Sequence, residues 1–331
     1  MRLAVLNPRG RDPGQSFPDF AGASDGRAHP PVNHHGYAAC TGGAFHTSIS
    51  TLPPGQKEVL LLIRRDLGLC LKTLEELNAQ GRKVAVTVKE CGLFQVAELL
   101  DKGKSVVLFE KICASAHACL SATPELVPLY RAAGARRAEF IPTPYPVDDA
   151  RWNFSLPVKE RKGIFIGTRE FKIASRNHLA ALLCARAISR EMLEPVTVIN
   201  SERAAGRRML ASLKFEDRLL RVVEGPLPYR EYLRLMAAHR LVFQLDRGAV
   251  PGQVAGDALL CGIPCAGGDS AIERLVFPRF TADAMETVKQ LLANPALCEQ
   301  TIKESQAAAQ SLISFRHIQE RLRAFFAEGR P

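Results

Sequence analysis

The chain has 331 residues, 47% of them hydrophobic and 24% charged, a balance that excludes a disordered or fibrous protein and suggests two domains, each large enough to bury its own core. A net charge of +10 favours an anionic partner. Lys and Arg are spread without interleaved aromatics, so a phosphate-bearing small ligand is expected ahead of nucleic acid, with peripheral contact to a membrane surface as a further possibility. No apolar run is long enough to span a bilayer, Met1–Leu6 lacks the form of a signal peptide, and the nine cysteines lie scattered in apolar segments. A cytoplasmic protein without a disulfide framework is therefore expected, and Cys261 and Cys265, with no second ligand pair, do not make a metal site.

Arg2–Asn7 reads as an opening strand, followed by a Gly/Pro/Asp-rich loop to about Pro31 that is long for a compact domain. His29, His34 and His35 then lead into a small-residue helix expected over Ala38–Phe45. Strands are predicted at Val59–Ile63, Val84–Val88, Ala118–Ala122 and Ala138–Ile141. Between them lie helices at Leu67–Gln80, Leu93–Leu100 and Val106–Ser115, and one that begins after Thr123-Pro124, with Thr123 as its cap, and stops at Gly134. Pro142-Thr143-Pro144-Tyr145-Pro146 reads as a stiff connection between an N-terminal domain, 1–150, and a C-terminal domain, 151–331.

The second domain opens with a strand at Gly163–Gly167, a helix over Asn177–Glu191, a strand at Val196–Ile199 and a helix near Ala204–Leu213. The segment Val222–Pro278 carries the densest signal. A short strand (Val222–Val223), a Gly-Pro turn, a helix (Tyr229–Ala238), a buried strand (Leu241–Leu245), a loop with Gly248 and Gly252, a helix ending at Gly262 and a strand (Ile263–Ala266) succeed one another. Strand and helix alternate, as in a parallel sheet covered by helices, and such sheets bind ligands at the carboxyl ends of their strands. Helices at Ala282–Leu292 and over the whole of Pro295–Ala327 finish the chain.

Gly163-Ile164-Phe165-Ile166-Gly167-Thr168-Arg169, Glu224-Gly225 with Tyr229-Arg230-Glu231-Tyr232-Leu233, and Asp257-Ala258-Leu259-Leu260-Cys261-Gly262-Ile263-Pro264 together resemble the glycosyltransferases of the GT-B fold, in particular the retaining "group 1" type. The resemblance implies an α/β protein of two Rossmann-like α/β/α domains facing across a cleft, with a C-terminal helix that crosses back to the first domain. It implies a nucleotide-sugar donor on the C-terminal domain and an acceptor, be it a glycan, a lipid-linked group or a protein, on the N-terminal one. By the same resemblance Asp257 takes the place of the second Glu of the Glu-x7-Glu motif and binds the donor ribose. Ala249 stands where the first Glu belongs, which leaves open a second reading: a non-catalytic protein of this fold that binds a nucleotide sugar, glycan or partner protein. Arg169 fits the basic residue that neutralises the donor pyrophosphate. No cofactor or metal is expected.

Other residues keep two readings each. Lys172 and Arg176, just ahead of a helix start, either complete the phosphate clamp or form a solvated cluster. Gly248, Gly252 and Gln253 either bring loop amides to a phosphate or simply make a turn. Asp246, at a strand end, either reaches the sugar or caps the loop. His34, His35 and Glu90 are candidate general bases on the acceptor side; the alternatives are loop anchors for the histidines and a helix cap for Glu90. Dinucleotide, P-loop and nucleophile-elbow signatures are absent.

Overall fold

A computed structural model describes residues 1–20, 29–246, 253–267 and 282–327. The chain divides into two compact units, Met1–Arg151 together with Gln310–Pro331, and Trp152–Ala309. Each is a Rossmann-like layering of helices on a mostly parallel sheet.

The first unit holds β1 (Ala4–Leu6), β2 (Gln15–Ser16), β3 (Ala44–His46), β4 (Glu58–Ile63), β5 (Lys83–Val88), β6 (Ala118–Ser121) and β7 (Ala138–Phe140), in the order β2-β3-β1-β4-β5-β6-β7. The pairs are parallel except for β2 against β3. β4 (EVLLLI) and β5 (KVAVTV) are buried after their first residues, as continuous apolar runs must be when helices cover both faces. Among those helices are α1 (Asn33–Ala39), α2 (Leu67–Ala79), α3 (Leu93–Leu100), α4 (Ser105–Ser115) and α5 (Leu126–Ala132).

Two local expectations for this unit change. The helix expected over Ala38–Phe45 starts earlier, because His34, His35 and Tyr37 supply its buried face. It stops before Gly42, which turns at φ +63, and a Cβ on Gly43 would sit 2.0 Å from the Leu3 carbonyl, so the chain passes directly into β3 beside β1. Thr123 is not a cap either: its hydroxyl donates to the Cys91 carbonyl, and α5 begins without a side-chain cap. By contrast Asp66 caps α2, accepting from the Leu69 amide at 2.9 Å.

The second unit contains β8 (Ile164–Ile166), α6 (His178–Met192), β9 (Val196–Asn200), α7 (Arg203–Ser212), β10 (Leu220–Glu224), α8 (Tyr229–Ala237), β11 (Leu241–Phe243), α9 (Gln253–Leu260), β12 (Cys265–Ala266) and α10 (Ala282–Ala293). Its sheet is wholly parallel among the described strands, in the order β10-β9-β8-β11-β12. The order runs outward one way from β8 and then resumes on its other side at β11, which makes the β8/β11 pair the switch point.

The single helix expected over Pro295–Ala327 is two, α11 (Pro295–Leu312) and α12 (Phe315–Ala327). The break has a local cause. The Ile313 carbonyl accepts from the Tyr145 amide at 2.9 Å, Tyr145 and Ser314 form a parallel bridge, and the Ser314 hydroxyl accepts from the His317 amide. The Pro142–Pro146 segment, expected as a stiff connection between domains, is buried, with Tyr145 fully enclosed, and belongs to the first unit. Beyond the break α12 packs Phe315, Ile318, Leu322, Phe325 and Phe326 into the core formed by Leu3, Tyr37, Phe45 and Leu60.

All nine cysteines are free thiols, and all but Cys184 are buried. Among the described residues no helix is long and apolar enough to cross a membrane.

Because Leu322 is wholly buried in the first unit's core, Leu322→Ala is expected to destabilise that unit by about 2–5 kcal/mol. Urea unfolding measures it. A loss below about 0.5 kcal/mol, the range of surface changes, would mean that α12 is not part of that core.

Candidate functional site

A pocket of the second unit lies at the carboxyl end of β8, beside the switch point. Gly167 leaves the strand there because nothing larger fits: a Cβ would come within 2.2 Å of Val254 Cγ1 on α9 and 3.1 Å of Val242 on β11. The loop that follows is tied down on both sides. The Ser201 hydroxyl donates to the Arg169 carbonyl at 2.9 Å, and Glu202 accepts from the Phe171 amide at 3.1 Å, both from the end of β9. Asn177 turns in the left-handed region (φ 46) and donates its side-chain amide to the Leu245 carbonyl at 2.9 Å, fastening the start of α6 to the end of β11.

The resulting pocket, about 160 Å³, is walled by Thr168, Arg169, Glu170 and Arg176 on one side and by Leu227, Tyr229, Tyr232 and Asp257 on the other. Asp257 is 1% exposed. Tyr229 Oη donates to its Oδ1 at 2.5 Å, whereas Oδ2 has no hydrogen-bond partner among the described residues. Burial pushes this carboxyl up to about 7, against the pull of the Tyr229 and Tyr232 hydroxyls and of Arg169. It is a buried acid beside open space, with the Tyr229 and Tyr232 hydroxyls near it, which suits a group that binds a hydroxyl.

The basic residues are arranged as an alternating chain. Arg169 Nε lies 3.7 Å from Glu170 Oε1, and Arg176 Nε lies 3.9 Å from Glu170 Oε2. Arg176 Nη1 donates to Asp246 Oδ2. Arg176 and Asp246, expected as a phosphate ligand and a sugar contact or cap, meet each other in an ion pair, and the loop that Asp246 would cap lies outside the described residues. Lys172 is 81% exposed, points to Glu202 at 3.5 Å and does not line the pocket. Gly248 and Gly252 lie outside the described residues. Gln253 opens α9, and its side chain lies outside them as well.

Among the pocket's polar residues, sequence reasoning did not assign Tyr229, Tyr232, Glu170 and Thr168 to the site. Tyr229 and Tyr232 sit three apart on a helix, a spacing that places two phenols on one face and could have been read. Glu170 and Thr168 had no such signal. The Thr168 hydroxyl is hydrogen-bonded to His178 Nδ1 at 2.8 Å; burial pulls His178 down to about 4, so it holds Thr168 as a neutral imidazole.

The first unit gathers a separate polar cluster at the carboxyl ends of β1 and β5. Asn7 donates to Asp12 Oδ2 at 2.9 Å, and Lys89 pairs with the same oxygen at 2.5 Å. His35 lies between Phe45 (3.7 Å) and His29 (3.6 Å) in a three-ring stack, and its Nε2 is hydrogen-bonded to the Pro13 carbonyl at 3.2 Å. Burial pulls it down to about 3, so it is a neutral anchor. His34, pulled by burial to about 4, keeps an unpartnered Nε2 among the described residues, as does Asn7 its Oδ1. Glu90 is exposed and does not cap α3, whose cap position is Gly92. Arg9 and Arg11 after β1, and Arg64 and Arg65 after β4, were also missed. None of them has a carboxylate partner among the described residues, and they follow the strands where this sheet's order reverses.

No protein-family profile and no curated protein matches the sequence. Solved structures do match. A UDP-forming α,α-trehalose-phosphate synthase from Burkholderia xenovorans has 11% identity and a TM-score of 0.62 over 85% of this chain and 75% of that one. A trehalose-6-phosphate synthase from E. coli, bound with UDP-2-fluoro glucose, has 12% identity and a TM-score of 0.65 over 85% and 75%. A glycosyltransferase from Rickettsia africae has 10% identity and a TM-score of 0.56 over 81% and 75%. At these identities the likeness establishes the fold: the chain has the GT-B fold that the sequence resemblance implied.

The Asp257 carboxyl gives this site a pH signature. Its folded value of about 7 exceeds its ordinary 3.8, so the folded state holds the proton more tightly, and the group's contribution to stability falls as pH climbs through that window. Asp257→Asn cannot ionise. Its stability relative to wild type is expected to rise from pH 4 to pH 7 and then level off, followed by thermal melts at a series of pH values. A difference that does not change with pH would place the carboxyl in the ordinary range.

Proposed function

We propose that the protein is a glycosyltransferase that moves a sugar from a nucleotide donor to an acceptor, with the donor held by the second unit. One observation carries the reading: the switch-point pocket combines Arg169 with a buried carboxylate, Asp257, that has one oxygen tied to Tyr229 and the other available. A carboxylate so held accepts from a ribose hydroxyl without being free to rotate away, and the tyrosine rings offer apolar walls to the nucleoside. Arg169 faces the donor's pyrophosphate and stabilises the charge that develops on it as the sugar departs. Because this cation belongs to the chain, no metal or further cofactor is required by the scheme; the nucleotide sugar is a substrate. The structural neighbours include an enzyme bound with UDP-2-fluoro glucose, which makes a uridine diphosphate sugar the first donor to try.

The acceptor belongs to the first unit in this reading. His34 Nε2 and Asn7 Oδ1 are buried polar atoms that an acceptor hydroxyl can satisfy. Arg9, Arg11, Arg64 and Arg65 favour an acceptor that carries an anionic group. In this reading His35, held in a ring stack, serves as an anchor, and the exposed Glu90 is given no role. Ala249 is the sequence feature that supports the alternative, a binding protein of this fold without turnover.

Purified protein titrated with UDP-, GDP- and ADP-sugars, then assayed for release of free nucleotide with plain and phosphorylated sugars, separates these readings. Binding with acceptor-dependent release is expected; binding without release would favour the non-catalytic alternative, and no binding of any donor would sink the glycosyltransferase reading. Arg169→Ala should weaken binding of the diphosphate about tenfold or more, as loss of a charge-assisted contact does. Unchanged affinity would remove Arg169 from the site.

A further inference from the structure

The pocket's cations are not waiting for an anion: each already has one. Arg176 is held by Asp246, a carboxylate only 10% exposed, and both arginines face Glu170. The two partners differ in kind. The Arg176–Asp246 pair is in direct contact and anchors the start of α6 to the end of β11, so it is part of the frame. Glu170 makes only long contacts, 3.7 Å to Arg169 and 3.9 Å to Arg176, through the Nε edges. Its side chain is 35% exposed and lines the pocket itself. It lies on a loop whose backbone is fixed by Ser201 and Glu202, so its side chain can leave without the loop moving.

Counting the charges that face the pocket sharpens the point. Among the described residues that line the pocket, the cations are Arg169 and Arg176 and the carboxyls are Glu170 and the buried Asp257, and Arg176 is already paired with Asp246, so little uncompensated positive charge is left there for a diphosphate. A pocket of that balance discriminates against a multiply charged anion until one carboxylate withdraws. Of the three, Asp246 is fixed by its direct ion pair, and Asp257 is buried under Tyr229.

We propose that Glu170 is a displaceable internal counter-anion, occupying the ground between Arg169 and Arg176 that the ligand's phosphates take, and that it weakens diphosphate binding so that ligand is not retained. The proposal deepens the donor-site reading and rests on it. It makes Glu170 a residue that sets affinity by competition, not by contact. Lys172, directed to Glu202 and outside the pocket, takes no part.

The test is the conservative variant Glu170→Gln, which keeps size and hydrogen-bonding capacity and removes the charge. Calorimetric titration of wild type and variant with UDP, GDP and ADP, each against its monophosphate, reads the effect. The expected result is a gain of about tenfold in affinity for the diphosphate that binds wild type, and a smaller gain for the corresponding monophosphate, since like-charge repulsion scales with the ligand's charge. Wild type that binds a diphosphate while Glu170→Gln binds it no more tightly overturns the proposal and leaves the donor site standing. So does an equal gain for both phosphates, which would point to a general loosening of the loop. Failure of both proteins to bind any of the three overturns the donor-site reading, and this proposal with it. Circular dichroism melts confirm that the variant, altered at a partly exposed side chain, is folded.

Discussion

A parallel sheet whose strand order reverses cannot keep its loops together at the point of reversal. Right-handed crossovers send the chain leaving β8 to one face and the chain leaving β11 to the other. The space between those two exits is the one place where the end of a sheet is not covered by its own connections. The pocket grows from that constraint. Gly167 lets α9 close to within contact of β8, which brings Asp257 forward, and Asn177 and Arg176 stitch the first exit to the second through Leu245 and Asp246. The crevice is thus held open by topology and held rigid by two polar ties.

Rigidity has an electrostatic cost that the site meets unevenly. Arg176 and Asp246 satisfy each other in a largely buried pair, where removal of either partner would leave a charge with little access to water. Asp257 is buried, and burial raises its affinity for a proton. A carboxylate that is costly to ionise when dry is one whose environment improves when a hydroxyl donor arrives. The first unit's cluster shows the same logic with a different outcome. His35 and His29 are closed into a ring stack against Phe45, while His34 and Asn7 each keep one polar atom without a partner among the described residues.

The architecture was legible in the sequence because its signals are local and periodic. The apolar runs of β4 and β5 and the strand-helix alternation after Val196 each fix a backbone state without reference to distant residues. Asp257, which lines the pocket, was singled out because motif resemblance carries long-range information that periodicity lacks. What escaped was pairwise and non-local. Nothing at Arg176 announces that Asp246, seventy residues on, will neutralise it, and nothing in the helical pattern of Pro295–Ala327 announces that Tyr145 will break it by claiming the Ile313 carbonyl. Glu170 was invisible for the same reason: its meaning lies in two arginines whose relative position only the fold supplies.

The break at Ile313-Ser314 carries a consequence for how the first unit is completed. Its core is assembled from the first 151 residues and from α12, whose five buried side chains come from the end of the chain. Arg137 extends the tie, donating to the Phe325 carbonyl with its guanidinium over the Phe325 ring at 4.4 Å, and Lys83 donates to the Phe326 carbonyl. Until α12 is made, Tyr37, Phe45 and Leu60 lack part of the apolar surface that covers them, and burial of such side chains is the main term favouring the folded state. The core of the first unit is therefore complete only once α12 has been made, although its strands are synthesised first. The second unit, contiguous from Trp152 to Ala309, needs no such return and can complete its sheet and switch-point pocket from its own sequence.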